Sequence, residues 1–341
     1  MKAVLAGAAS LRERIAGGPT AVSVRTLPLT TLLYPTRYAF GGAALSPAPF
    51  VTLTHRCLLV QFRQGAALKT LLFNPTDIDR ARRAPYFARV IERFGETMSS
   101  MMVTRFEALE AQLARLGLSP GDIDYVAFDH FHTQDLRGLL GTEDGRTTAR
   151  FPNATLLASR REWDDWADLH PMQRAWYVAD GREGVSTERV HFVERDLELG
   201  DGVMLLRTPG HTSGNQTLFV KTDRGVWGVS ENGTCADAWS PSSSRVAGVA
   251  RAASDAGLDV ILNANTVEYG ADQYTSMLLE RAMVDRVPSA PEWVQMFPSS
   301  EATPAVTAPG LSPTYLHHRV EHGVVESRGA REGVPAGFGA A

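Results

Sequence analysis

Two histidines in the stretch DHFHTQDLRG are spaced as the ligands of one metal ion would be. In an extended or turning backbone, side chains at positions i and i+2 point to the same side, so His130 and His132 can face one cation. Imidazole nitrogens bind zinc, iron and nickel, so the pair predicts a metal site without naming the metal. The alternative is a chance pair of hydrogen-bonded surface histidines, because HxH is a short motif.

Two further residues extend this pattern along the chain. His211 lies in TPGHTSGN, a turn directly after a predicted strand, and Glu231 follows the next strand at the equivalent point. Three imidazoles and one carboxylate at successive strand ends would leave one or two coordination positions open, as catalytic metal sites need. We therefore predict that His130, His132, His211 and Glu231 bind one divalent metal, Zn or Fe.

Predicted strands and helices alternate around these residues. The stretches 56–62 (RCLLVQF) and 65–77 (GAALKTLLFNPTD) read as a hairpin of two apolar strands closed by Asn74-Pro75, and 85–116 has the periodicity of one or two helices. A short buried strand over 125–128 delivers the two histidines, and 259–266 (DVILNANT) predicts a last strand that ends in asparagines. This mixture favours a layered α/β domain.

Four segments in this order resemble the metallo-β-lactamase superfamily, over roughly residues 56–266: LSPGDIDYVAFDHFHTQDLRG, FPNATLLASRREW, LLRTPGHTSGNQTLFV and GVSENG. The resemblance implies an α/β fold of the metallo-β-lactamase-like αβ/βα four-layer sandwich type, with the metal site at the sheet edges. Members carry an HxHxDH loop, a later GH, a metal-bridging Asp and a last His. His130, His132 and His211 match the first metal site, and Glu231 stands where the bridging Asp is expected.

The second metal site of the superfamily is not matched. Gln134 and Asp135 stand where the Asp and His of HxHxDH are expected, and Asn265 aligns with the last His. A glutamine can position water or substrate but cannot act as a general base, whereas Asp135 could take a proton or help Glu231 to bind a second cation. A neutral asparagine is a poor ligand for a transition metal, so the second metal is expected to be weak or absent.

Each of these residues also has a plainer interpretation. Asp135 could simply cap the helix that begins near Leu136, and Gln134 could brace the loop through hydrogen bonds. Asn263, Asn265 and Glu268 follow the last predicted strand at the expected edge of the site. The two asparagines could contact a second metal or substrate, or all three residues could belong to an ordinary polar loop.

An aromatic set lies in a predicted helical insertion between the second and third segments, and comprises Trp163, Trp166, Trp176 and Tyr177. Core packing is the default for such residues. This region can also wall the substrate pocket in such a fold, in which case Tyr177 would donate a hydrogen bond to a substrate oxygen. His317, near the C-terminus, is expected at the surface.

Composition limits the class of partner. The chain has 341 residues, 34 Lys+Arg against 38 Asp+Glu, and a net charge of −4, so neither a nucleic-acid groove nor a membrane patch is indicated. No apolar stretch approaches the ~20 residues of a membrane span, and Cys57 and Cys235 are too far apart for a zinc-finger motif. We expect a cytoplasmic protein with a small-molecule substrate, and the resemblance adds that a homodimer can form.

The expected organisation has three parts. Residues 1–50 form an N-terminal extension that packs on the domain, 51–290 form the catalytic domain, and 291–341 form a C-terminal segment with a disordered Gly/Ala-rich tail.

Three functions are compatible with these residues. The first is a metal-dependent hydrolase of a small acyl compound, such as a lactone or ester, in which a metal-bound hydroxide attacks at a mononuclear site. The second is a mononuclear non-haem iron oxygenase on the same fold. The third is a degenerate metal-binding module without turnover.

Overall fold

Two β-sheets lie face to face in the computed structural model, which describes residues 2–306 and 308–327. The strands are β1 (Ser23–Pro35), β2 (Phe50–Gln64), β3 (Ala67–Phe73), β4 (Tyr125–Ala127), β5 (Thr155–Ser159), β6 (Val190–Val193), β7 (Leu197–Gly200), β8 (Val203–Arg207), β9 (Gln216–Thr222), β10 (Gly225–Ser230), β11 (Arg286–Val287), β12 (Ala290–Val294), β13 (Met296–Pro298), β14 (Ser300–Thr303) and β15 (His322–Gly323). The helices are α1 (Lys2–Gly17), α2 (Thr36–Ala39), α3 (Ile78–Ala81), α4 (Pro85–Phe94), α5 (Glu96–Met101), α6 (Leu109–Arg115), α7 (Arg137–Leu140), α8 (Arg160–Asp165), α9 (Ala236–Trp239), α10 (Val249–Ala256) and α11 (Gly270–Met283).

The strand order brings the carboxyl ends of several strands to one edge. Among the described residues, the first sheet runs β15-β1-β2-β3-β4-β5-β6, with β14 also paired to β2, and the second runs β13-β10-β9-β8-β7. Strands β3, β4, β5 and β6 are parallel to one another, so the loops after β3, β4 and β5 leave the sheet on the same side. The loop after β4 carries His130 and His132.

Side-chain alternation in the β2–β3 hairpin produces two separate cores. Leu58, Val60 and Phe62 pack between the sheets, whereas Cys57 and Leu59 point to the opposite face, under the helices. Because successive strand residues alternate between faces, one apolar run fills both layers. The hairpin predicted from the sequence is confirmed, with Leu58 opposite Phe73.

Helices cover the outer face of each sheet. Leu109 and Leu113 of α6 belong to the core on the outer side of the first sheet. Ile15 of α1 and Met277 of α11 pack with Met204 and Phe219 on the outer side of the second sheet. The order helix, sheet, sheet, helix confirms the α/β four-layer αβ/βα sandwich. None of the helices in the described part of the chain is long and apolar enough to cross a membrane.

Two secondary-structure predictions were wrong. The stretch 85–116 contains three separate helices, α4, α5 and α6. The stretch 259–266 is not a strand, because β13 occupies the place beside β10 where such a strand would pair. Its backbone N–H groups bond to loops instead, as Asn263 N does to the carbonyl of Asn232 (2.9 Å).

The N-terminal and C-terminal segments both contribute strands to the sheets. Strand β1 pairs with β2 over most of its length, and α1 packs on α11. In the C-terminal segment, β13 joins the second sheet while β14 and β15 join the first. The predicted boundaries at 50 and 290 stay predictions, and the predicted disordered tail lies outside the described residues.

The expectation of a surface position for His317 was wrong. Its ring is buried between Trp227 and Tyr315, at centroid distances of 5.2 and 5.0 Å. The segment that follows β14 folds back over the molecule, which a linear pattern near the chain end does not reveal.

Candidate metal centre

Three histidines from two loops meet at the edge of the sheets. His130 and His132 lie in the loop after β4, and His211 lies in the loop after β8. One ring nitrogen from each lies within 4.8 Å of the other two. Their ring centroids are 4.4 to 4.9 Å apart, so no side chain lies between them.

The spacing of the nitrogens fits a metal ion. His132 Nδ1 and His211 Nε2 are 3.2 Å apart. Two nitrogens bound to a tetrahedral zinc at ~2.0–2.1 Å are separated by about 3.4 Å, so little movement is needed to bind an ion. Among the described residues His211 Nδ1 has no hydrogen-bond partner.

Asp129 fixes the orientation of His130. Its Oδ1 accepts hydrogen bonds from the ring Nδ1 (2.7 Å) and from the backbone N–H of His130 (2.9 Å). This leaves His130 Nε2 as the ligand nitrogen. Burial by itself would raise the pKa of Asp129, but His130 together with hydrogen bonds from Ser299 and Asn74 brings it below its usual value. The sequence analysis missed Asp129, although it directly precedes the motif.

Glu162 ties the two histidine loops together. Its Oε1 accepts from the backbone N–H of Phe131 (2.6 Å) and its Oε2 accepts from the Thr212 hydroxyl (2.9 Å). Burial raises the pKa of this carboxyl group. Glu162 was not predicted as a site residue, because a buried position facing the motif could not be read from spacing.

The loop that carries His211 is held at a close approach to α11. The backbone N–H of His211 donates to Asn232 Oδ1 (3.1 Å), and the His211 carbonyl accepts from the Thr266 hydroxyl (2.7 Å). A Cβ at position 210 would lie 2.2 Å from the Cα of Gln273, so only glycine fits directly before the histidine.

The electrostatic surroundings keep two of the histidines neutral. Burial, followed by the charge of His130, holds the pKa of His132 and of His211 well below the usual value. A neutral imidazole is the form that binds a metal ion.

The histidines lie at one end of a cavity of about 180 Å³ with mostly apolar walls. Strand β1 supplies Leu32 and Leu33, and α4 supplies Phe87, Val90 and Ile91. Next to the histidines the lining becomes polar, and there includes Glu231, Asn263, Asn265 and Ser300.

Sequence relatives of the chain are lactonases. No protein-family model matches the chain. The N-acyl homoserine lactonase AiiA of Bacillus thuringiensis subsp. kurstaki is 26% identical over 184 residues, which cover 54% of this chain and 64% of AiiA. The N-acyl homoserine lactonase AttM of Azorhizobium caulinodans is 30% identical over 128 residues, which cover 34% of this chain and 42% of AttM. The chain thus spans less than two thirds of these relatives.

Solved structures with the same fold cover more of the chain. A dizinc quorum-quenching lactonase, AidC, superimposes with a TM-score of 0.54 and 14% identity over 90% of this chain and 96% of AidC. A probable metal-dependent hydrolase from Staphylococcus aureus superimposes with a TM-score of 0.53 and 16% identity, over 76% and 84% of the two chains. These matches confirm the fold that the four sequence segments implied. The chain therefore shares the metallo-β-lactamase-like fold with these two proteins.

Glu231, predicted from the sequence as the fourth ligand, lines the same cavity as the histidines. Its Oε2 accepts from the backbone N–H of Ser300 (2.8 Å), and in the described part of the chain the group of ligand atoms within 4.8 Å contains the histidines but not Glu231. Burial, and then the negative charge of Asp129, hold the pKa of Glu231 well above its usual value. Its role as a ligand stays a prediction.

Gln134 and Asp135, which follow the histidine pair in the predicted motif, have side chains in different surroundings. Gln134 lines the cavity and donates to the Thr76 hydroxyl (2.9 Å) and to the His132 carbonyl (3.2 Å). The side chain of Asp135 is fully buried and faces Arg83 (3.1 Å) and Arg137 (2.6 Å). Asp135 is not among the residues that line the cavity, and its predicted catalytic role stays a prediction.

Of the remaining predicted contacts, Tyr177 and Asn263 form hydrogen bonds within the protein. Tyr177 packs edge-on against His132 (5.0 Å between centroids), and its hydroxyl donates to Glu162 Oε1 (2.6 Å). Asn263 accepts from the Tyr34 hydroxyl (2.6 Å) and donates to the Glu231 carbonyl (3.0 Å). The Oδ1 of Asn265 is buried and has no partner among the described residues.

Proposed function

We propose that this protein is a metal-dependent hydrolase of a small acyl compound, with a lactone or ester as the bond that is cleaved. One observation carries the proposal: three imidazoles with their ligand atoms within 4.8 Å line a cavity whose walls are mostly apolar. The sequence relatives AiiA and AttM are N-acyl homoserine lactonases by name, which supports an acyl lactone as the substrate.

His130, His132 and His211 would hold one divalent metal ion, Zn or Fe, with Glu231 as a candidate further ligand. A metal ion bound there polarises a carbonyl oxygen and lowers the pKa of a coordinated water toward ~7. A second metal is proposed to be weak or absent, because Gln134 and Asn265 are neutral and Asp135 is paired with arginines.

The apolar walls would bind and orient the acyl group. Leu32, Leu33, Val90 and Ile91 lie along the cavity, and each buried CH₂ of a substrate chain contributes ~0.8 kcal/mol. An acyl chain in this position also excludes water from the space beside the histidines. The scissile group would lie among Asn263, Asn265 and Ser300, whose polar atoms can orient it.

The test begins with protein purified without added metal, in which metal content is measured and hydrolysis of N-acyl homoserine lactones is followed by acid release. We expect about one equivalent of Zn or Fe, and loss of hydrolysis on chelation that is reversed by that metal. His211→Ala is expected to lower metal content and to reduce kcat/KM at least 100-fold. His191→Ala, which removes an exposed histidine, is the matched control and should match the wild type.

Two results would contradict the proposal. Hydrolysis that persists in the metal-free protein would exclude a metal mechanism. Consumption of dioxygen with substrate, without acid release, would show an oxygenase instead. The cytoplasmic location and the homodimer stay predictions.

A further inference from the structure

Two side chains form a hydrogen-bonded network that leads from His132 away from the other histidines. His132 Nε2 lies 2.6 Å from Gln173 Oε1, and Gln173 Nε2 lies 2.8 Å from Glu268 Oε1. Gln173 comes from the insertion after α8, and Glu268 comes from the loop before α11. Gln173 was not predicted from the sequence as a site residue, whereas Glu268 was placed at the expected edge of the site.

The direction of each hydrogen bond in this network is fixed by chemistry. A carboxylate only accepts, so the group of Gln173 that faces Glu268 must be its NH₂. The Gln173 carbonyl oxygen then faces His132, and since a carbonyl also only accepts, His132 Nε2 must carry the proton. In a neutral imidazole the other nitrogen then has the free lone pair. That nitrogen, Nδ1, is the one that lies 3.2 Å from His211 Nε2.

We propose that Gln173 and Glu268 are positioning residues that hold His132 in the tautomer and orientation in which Nδ1 binds the metal. The inference rests on the metal centre of the proposed function and assigns the residues that prepare one of its ligands. Partners of this kind orient metal-binding histidines and raise their basicity. Glu268 supplies the fixed negative end, and in the described part of the chain its second oxygen, Oε2, is buried without a hydrogen-bond partner.

Because Gln173 and His132 are buried, a lost hydrogen bond between them is hard to replace. Gln173 is only 5% exposed and His132 only 4%. If Gln173 lost its carbonyl, the Nε2–H of His132 would be left unpaired in a buried position, which favours rotation of the ring or the other tautomer. Either change removes the lone pair from the side that faces His211.

The first experiment titrates zinc into the metal-free full-length protein in competition with a chromophoric chelator. Gln173→Leu is expected to weaken zinc binding 10- to 100-fold. Glu268→Gln should weaken it less than tenfold, because an amide oxygen can still accept from Gln173. Gln112→Leu is the matched control: it removes another buried glutamine with two backbone hydrogen bonds, far from the site, and should leave zinc affinity unchanged.

A reciprocal exchange separates positioning from packing. Gln173→Glu alone puts two carboxylates in contact and is expected to weaken zinc binding and lower the melting temperature. Gln173→Glu combined with Glu268→Gln restores an acceptor for His132 and a donor between the pair, and should return zinc affinity to within about threefold of the wild type. A double variant no better than Gln173→Glu would overturn the proposal, as would a Gln173→Leu variant that binds zinc like Gln112→Leu.

A readout without metal keeps this inference separate from the proposed function. Two-bond ¹H–¹⁵N spectra of the metal-free protein should show His132 protonated on Nε2, and this signal should be lost or mixed in Gln173→Leu. Protonation of Nδ1 in the wild type would overturn the inference. If the wild type bound neither zinc nor iron, the proposed function would fail while the spectra still decided the role of Gln173.

Discussion

Hydrogen-bond partners decide what each polar side chain at the centre can do. Asp129 and Gln173 each take one ring nitrogen of a histidine, which leaves the other nitrogen facing the site. Both N–H groups of Gln134 are used inside the protein, so its amide is held in place beside the cavity. Asp135, next in sequence, is buried against arginines. Two neighbours in one motif therefore have different surroundings, and we expect different effects from their substitution.

Asp135→Asn tests the role of this carboxylate. The charge is fully buried with Arg83 and Arg137, which are partly exposed. Removal of one partner of a buried ion pair costs ~3–5 kcal/mol, and the exposure of the arginines reduces this, so the free energy of unfolding should fall by about 2–3 kcal/mol in urea titrations. The kcat of the folded variant should stay within about threefold of the wild type.

A 100-fold loss of kcat in Asp135→Asn with unchanged stability would be the opposite outcome. It would favour the proton-acceptor role predicted from the sequence. Asp180→Asn is the control for this variant. Asp180 pairs with the same two arginines but is 34% exposed, so its loss should cost less.

At the scale of elements, helix α4 forms a wall of the cavity rather than part of the core. It has no fully buried residue, yet Phe87, Val90 and Ile91 line the cavity. Apolar residues at this spacing share one face of a helix, and the charged Arg89 and Glu92 are exposed on the other. The space available for an acyl chain is therefore set by the inner face of α4.

Val90→Trp should narrow this space without touching the histidines. We expect kcat/KM for a long-chain N-acyl lactone to fall at least tenfold, while that for a short-chain lactone stays within about twofold, because only the long chain reaches Val90. Glu92→Trp puts the same side chain on the exposed face and should change neither value. Equal losses for both chain lengths would argue against an acyl site along α4.

At the scale of the whole molecule, the C-terminal segment joins the two sheets and reaches the metal centre. Between β13 and β14 the Ser299 hydroxyl donates to Asp129, and the backbone of Ser300 donates to Glu231. Further along, His317 is packed between Trp227 and Tyr315, and neither of its ring nitrogens has a hydrogen-bond partner in the described part of the chain. Burial lowers the pKa of His317 to about 3.

This buried histidine predicts a loss of stability in acid. In the unfolded chain His317 gains a proton below a pH of about 6.5, whereas in the folded protein it stays neutral down to about 3, so unfolding becomes more favourable as the pH falls through that window. At pH 5 this contributes about 2 kcal/mol. His317→Phe should remove this contribution. In urea titrations, the free energy of unfolding should therefore fall less between pH 8 and pH 5 in His317→Phe than in the wild type.

His191→Gln, at an exposed histidine, is the control and should leave the difference between the two pH values unchanged. If the wild type and His317→Phe lost stability in parallel between pH 8 and pH 5, the proposed origin of the acid sensitivity would be wrong.

The amino-acid sequence by itself indicated the three histidines and, through the resemblance of four segments to a known superfamily, the layers of the fold. The apolar runs of the first hairpin and the order of the four segments depend on neighbours in sequence, so they could be read directly. His130 and His132 are two residues apart, and the turn around His211 has its own glycine and proline.

Only the tertiary structure decided what lies around those histidines. Glu162 and Gln173 come from separate elements, and nothing local marks them as neighbours of the site. The position of Glu268 after a predicted strand placed it near the site, but its contact with Gln173 could not be read from the sequence. The stretch 259–266 has the composition of a strand, but β13, nearly 40 residues later in the chain, takes its place in the sheet. Pairing and burial depend on contacts between distant parts of the chain, and for that reason the histidines were predictable while the residues that position them were not.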